Sequence, residues 1–115
     1  MARIPAPARR TFAGVAPAFA ALGDETRLAI VASLCARGPQ SIVQLTEEAN
    51  VSRQAVTKHL HALSRAGLAR STREGRQRIW EIQTKRLADA RRCLDQISSQ
   101  WDAAIARLQA FVEEP

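Results

Sequence analysis

Apolar and polar positions along the 115-residue chain follow two different periods. Up to about residue 65 the apolar positions recur every three or four residues, which predicts helices. Pro17 suits the first turn of a short helix, Ala18 to Leu22, which Gly23 ends. Asp24 can cap the next helix, ETRLAIVASLCAR, where Leu28, Val31, Leu34 and Cys35 share an apolar side and Gly38-Pro39 forms the stop. Ser41 can cap a third helix, IVQLTEEA, and Asn50 suits a left-handed exit from it. Ser52 can cap a fourth helix, Arg53 to about Arg65, ended by Gly67. A tight turn between two such short helices is the helix-turn-helix pattern.

Beyond Gly67 the period shortens. LARSTR and RQRIWEIQ read as two strands around a Glu74-Gly75 turn, with Ile79, Trp80 and Ile82 favouring strand. Thr84 then caps a last long helix, about Lys85 to Glu113. Along it Leu87, Ala90, Leu94, Ile97, Trp101, Ala104, Leu108 and Phe111 keep a heptad spacing. A helix this long outreaches so small a domain, and a second copy of the chain is the commonest way to cover the excess. The expected class is mainly α with a small β-hairpin (α+β): a winged helix-turn-helix with a long C-terminal dimerisation helix. Residues 1–14 are expected as a flexible arm, 15–84 as the winged helix domain, and 85–113 as the dimerisation helix packed on it.

Charge sharpens this picture. The chain carries a net charge of +6, but residues 52–92 alone hold eleven Lys and Arg against Glu74, Glu81 and Asp89, a net +8. From Cys93 onward the balance is acidic. A basic block confined to the predicted fourth helix, the hairpin and the start of the last helix points to a polyanionic partner, whether double-stranded DNA, RNA or acidic lipid. No apolar run is long enough to span a membrane, and the N-terminal stretch lacks the continuous apolar core of a secretory signal.

On a helical wheel Val56, Leu60 and Leu63 of the fourth helix cluster on one side, while Gln54, Lys58, His61 and Arg65 lie opposite, flanked by Ala55 and Thr57. Gln and Lys can bond base edges, and Ala55 and Thr57 offer methyl groups to thymine. Ser52 and the free N–H groups at the helix start suit a phosphate. Arg53 lies nearer the buried edge, but at the N-terminal end it can still reach outward. Arg70, Arg73, Arg76 and Arg78 on the hairpin suit a minor groove or phosphates. Leu87, Leu94, Ile97, Trp101, Leu108 and Phe111 are the candidate dimer interface.

His59 falls close to the apolar side and is expected as a packed, hydrogen-bonded side chain. Cys35 and Cys93 are expected as small buried hydrophobes in a reducing, cytoplasmic setting. A thiol-based redox-responsive repressor is the alternative they suggest. A winged-helix adaptor binding RNA or an acidic protein is the alternative the basic face suggests. The chain offers no paired carboxylates, no nucleophile–base signature and no glycine loop for phosphates, so no enzyme and no cofactor is expected.

ALGDETRLAIVASL and IVQLTEEANVSRQAVTKHLHALSRAGLARSTREGRQRIWEI together resemble the ArsR/SmtB family of bacterial winged-helix repressors over about Ala20 to Ile82. The resemblance implies a homodimer built from the first and last helices, bound to an imperfect inverted repeat near a promoter. It carries DNA contacts over to Ser52, Gln54, Thr57, Lys58, Arg73 and Arg76. Metal-sensing members have Cys-Val-Cys where this chain has Ser41, Ile42 and Val43, and others use Asp and His on a last helix that here has no histidine. The resemblance is therefore to the branch without metal ligands, and no metal is expected. The resemblance leaves the signal open among a small-molecule effector, a protein effector and the regulator's own abundance.

Overall fold

The computed structural model describes residues 6–113, with side chains from residue 12 onward. Five helices and three short strands follow in the order α1 (Ala6–Leu22), α2 (Glu25–Arg37), β1 (Gln40–Ser41), α3 (Ile42–Ala49), α4 (Arg53–Arg65), β2 (Ala69–Glu74), β3 (Gln77–Ile82) and α5 (Thr84–Glu113). This is the expected winged helix-turn-helix with a long last helix.

The local rules act at each boundary. The Asp24 carboxylate accepts from the Arg27 N–H at 3.0 Å and starts α2. Ser41 and Gln44 form a reciprocal capping box at the start of α3. Asn50 leaves α3 at φ 53, in the left-handed region. Ser52 accepts from the Ala55 N–H at 3.0 Å and starts α4. One core then locks α2, α3, α4 and the sheet together. Val56, Leu60 and Leu63 of α4 have no exposed surface and meet Ile30, Leu34, Leu45, Leu68 and Trp80. Each such buried side chain contributes roughly 2 kcal/mol.

Four details differ from the pattern in the sequence. Residues 6–14, expected within the flexible arm, belong to α1, while residues 1–5 lie outside the described residues. This Ala-rich stretch has high helix propensity, and tertiary packing completes the argument for a helix. Val15 packs against Ala90 and Cys93 of α5, with Phe12 and Phe19 beside it. Pro17 stands inside this helix rather than at its start. It takes one N–H out of the ladder, on an exposed face where water can satisfy the carbonyl left over.

The hairpin turn is shifted by one residue. Glu74 pairs with Gln77, so Gly75 and Arg76 form the turn, and Gly75 takes φ 60 at its first position. The third difference is β1, whose two residues pair antiparallel with Trp80 and Ile79 to give the sheet order β1-β3-β2. Fourth, Cys35 is exposed, although Cys93 is buried. Cys35 sits at the edge of the α2 apolar face, where none of the described residues covers it.

Candidate nucleic-acid interface

The helix-turn-helix presents α4 with its apolar face inward and its polar face outward. Gln54, Lys58, His61 and Arg65 are all exposed, while Ala55 and Thr57 are half-buried on the flanks. Thr57 donates its hydroxyl to the Arg53 carbonyl at 2.8 Å. His61 is exposed at one edge but also leans on Trp80, with ring centroids 5.9 Å apart. The exposed Ser52 and Arg53 stand at the start of the helix, where backbone N–H groups point outward and favour an anion.

The wing lies beside that helix start. Arg53 of α4, Arg76 and Arg78 of the wing and Ser41 at the head of α3 line one cavity of about 260 Å³. Chain positions far apart in sequence thus form one cationic concavity. In the wing Arg73 sits directly across from Arg78. Like charges in that relation repel, so the pair favours a bound anion between or beside them. Arg78 also donates to the Ser71 hydroxyl at 3.1 Å. Arg70, by contrast, is engaged at the wing base, 2.6 Å from Glu81.

The pose of α4 is braced from behind. Arg27 donates from Nε to the Ala21 carbonyl at 2.6 Å, and its Nη1 lies 3.3 Å from His59 Nδ1. Asp24 Oδ2 is 4.0 Å from the same ring nitrogen. The Arg27 N–H at the α2 cap holds the Asp24 carboxyl below its ordinary range; burial, the next largest effect, opposes it, and the Arg27 and His59 charges give lesser help. His59 is thus the packed, hydrogen-bonded side chain its position on the wheel suggested. Among the described residues no group of three or more His, Cys, Asp or Glu is placed to hold a metal, and no helix is long and apolar enough to cross a membrane.

Comparison with known proteins agrees with this geometry. Residues 22–72 match the family described as helix-turn-helix domain. The HTH-type transcriptional regulator Rv2034 of Mycobacterium tuberculosis is 36% identical over 96 residues, covering 84% of this chain and 86% of the relative. An ArsR-like transcriptional regulator from Rhodococcus sp. RHA1 superposes with a TM-score of 0.75 at 38% identity, covering 91% of this chain and 98% of its own. The chain belongs to the ArsR family of helix-turn-helix transcriptional regulators. A Mycobacterium bovis protein, Mb0332, solved as a homodimeric winged helix-turn-helix DNA-binding domain, shares the fold at a TM-score of 0.65 and 24% identity, covering 87% of this chain and 91% of its own.

In this regulator the expected interface residues divide into two sets. Leu87 packs against the protomer's own core. Leu94, Ile97, Trp101, Leu108 and Phe111 are exposed, Trp101 at 65% and Phe111 at 79%. Sequence reasoning missed two glycines, one on α1 and one just after α4, that lie against α5. Gly14 and Gly67 both lie against Arg86, where a Cβ on Gly67 would come within 2.9 Å of the Arg86 Cγ. The one legible signal was the glycine after α4, taken only as a helix stop.

Proposed function

We propose that this regulator binds an inverted-repeat operator as a homodimer and represses transcription by occupying promoter DNA. In this reading α4 enters the major groove. Gln54 and Lys58 bond base edges, Ala55 and Thr57 meet thymine methyls, and His61 and Arg65 extend the contact toward the helix end. Ser52, Arg53, Arg73, Arg76 and Arg78 hold phosphates on either side. The observation that carries the reading is the cationic concavity where Arg53 meets Arg76 and Arg78, beside an α4 face whose apolar half is wholly committed to the core.

The dimer is supported by the row of exposed large apolar side chains on α5 and by the homodimeric Mycobacterium bovis neighbour. Water-exposed Trp101, Leu108 and Phe111 on a domain this small call for a cover, and a two-fold axis supplies the same surface from a second copy. Two copies would set two recognition helices about 34 Å apart, one helical turn of DNA.

The test is footprinting on the DNA upstream of the protein's own gene, followed by retardation of the protected duplex and a scrambled one across a salt series. The expected result is a protected imperfect palindrome. Its affinity should exceed that of the scrambled duplex and fall with salt at a log–log slope of about −0.9 per phosphate neutralised. Equal retention of both duplexes would overturn the proposal.

A further inference from the structure

Away from the DNA-facing surface, α1 and α5 flank a second cavity, half open to solvent and of about 400 Å³. Gly14 and Val15 line it from α1, and Arg86, Asp89, Arg92 and Cys93 from α5, with Gln96 one turn further on. Its volume lies in the range of small-molecule sites. Its chemistry is uneven. One wall is apolar, made of Val15 and the buried Cys93, with Phe12 and Phe19 packed against the same cluster. The other wall carries two guanidinium groups on one carboxylate: Arg86 reaches Asp89 at 3.4 Å, and Arg92 donates to the other oxygen of Asp89. Each guanidinium has five donors, and among the described residues each gives one to Asp89. The wall therefore keeps a net positive charge and most of its donors.

The geometry points to an effector site for a small organic carboxylate with an apolar body. Its carboxylate accepts hydrogen bonds from Arg86 and Arg92, and its body lies on Val15 and Cys93. Arg86 ties this cavity to the DNA-facing helix. Its stem crosses Gly67, directly after the end of α4, closely enough that a Cβ there would come within 2.9 Å of it. Its guanidinium end lies against Gly14, where a Cβ would be 3.5 Å from Nη1. A ligand that draws the Arg86 guanidinium away from Asp89 moves a side chain on which the exit of α4 rests. Occupancy then changes DNA affinity, a consequence that rests on the function proposed above.

The test uses the full-length chain with benzoate and hexanoate as probes, and with benzyl alcohol and inorganic phosphate as controls. Binding is followed by calorimetry. The expected result is saturable binding of the two carboxylates with a Kd of about 1 mM, in keeping with ligands this small, and none of the controls. Arg86→Met and Arg92→Met keep the side-chain stems and should each weaken binding about tenfold or more. Gly14→Leu fills the cavity from a helical position that favours Leu, and should abolish binding while the chain stays folded. Benzoate should change operator affinity about fivefold in the wild type and leave Gly14→Leu unaffected.

No saturable binding, equal binding of phosphate, or unchanged binding in all three variants would overturn the site. So would loss of the dimer in Gly14→Leu by sedimentation, since that result assigns the cavity to the second copy. Carboxylate binding by a protein that retains no DNA would instead overturn the operator reading and leave the site standing.

Discussion

Arg27 of α2 places its Nη1 3.3 Å from Nδ1 of His59 on α4. Arginine has donors only, so in a hydrogen bond across this contact Nδ1 is the acceptor. The contact spans 32 positions in sequence and joins the cap of α2 to α4. Asp24, which starts α2, lies 4.0 Å from the same nitrogen. One polar cluster therefore sets both where α2 begins and how α4 is tilted.

The acid side of stability should depend on Asp24. Its carboxyl is held below the ordinary range chiefly by the Arg27 N–H, so the unfolded chain takes up the proton more readily than the folded one. This contribution is present above roughly pH 4 and is lost as the pH falls through the folded value. Asp24→Asn keeps a capping side chain but removes the charge. Thermal unfolding should find the variant less stable than wild type at pH 7, with the gap narrowing toward pH 3. A gap that widened in acid would contradict the assignment.

Substitutions on the two DNA-facing elements should separate by kind. On the proposed operator reading, Lys58→Ala and Gln54→Ala remove base contacts and should relax preference for the operator, by about 1–3 kcal/mol each. Arg76→Ala at the wing tip should weaken all duplexes alike and lower the salt slope by about 0.9. Retardation of operator and scrambled duplexes across a salt series measures both effects.

The α5 stripe should govern association. Trp101→Glu places a charge in the middle of the exposed apolar row. Dimer affinity should fall by about 2 kcal/mol, some thirtyfold, as read by sedimentation equilibrium. Helical content should hold, because Trp101 is 65% exposed in the protomer and supports nothing within it.

The two thiols should behave differently. Cys35 is exposed and Cys93 is buried under Val15 and the phenylalanines of α1. A maleimide label should modify Cys35 in the native protein and Cys93 only after denaturation, as peptide mass analysis would show. Native labelling of Cys93 would mean that the reagent reaches it through the cavity between α1 and α5 or under a lifted α1.

The sequence alone determined most of what depends on near neighbours in the chain, the exact hairpin turn excepted. Asp24, Ser41 and Ser52 announce three helix starts because a capping side chain bonds an N–H only a few residues away. The inward line of Val56, Leu60 and Leu63, and so the outward line of Gln54, Lys58 and Arg65, follows from helical periodicity. Only the tertiary structure decided what depends on segments that meet across the fold. Residues 6–14 become helix because α5 offers Ala90 and Cys93 for Val15 to cover, and a two-residue strand exists because Trp80 and Ile79 are there to pair with it. Cys35 stays in water because none of the described residues covers it. A local pattern states which side of a helix is apolar, but burial is a contact with a second surface, and that surface lies elsewhere in the chain.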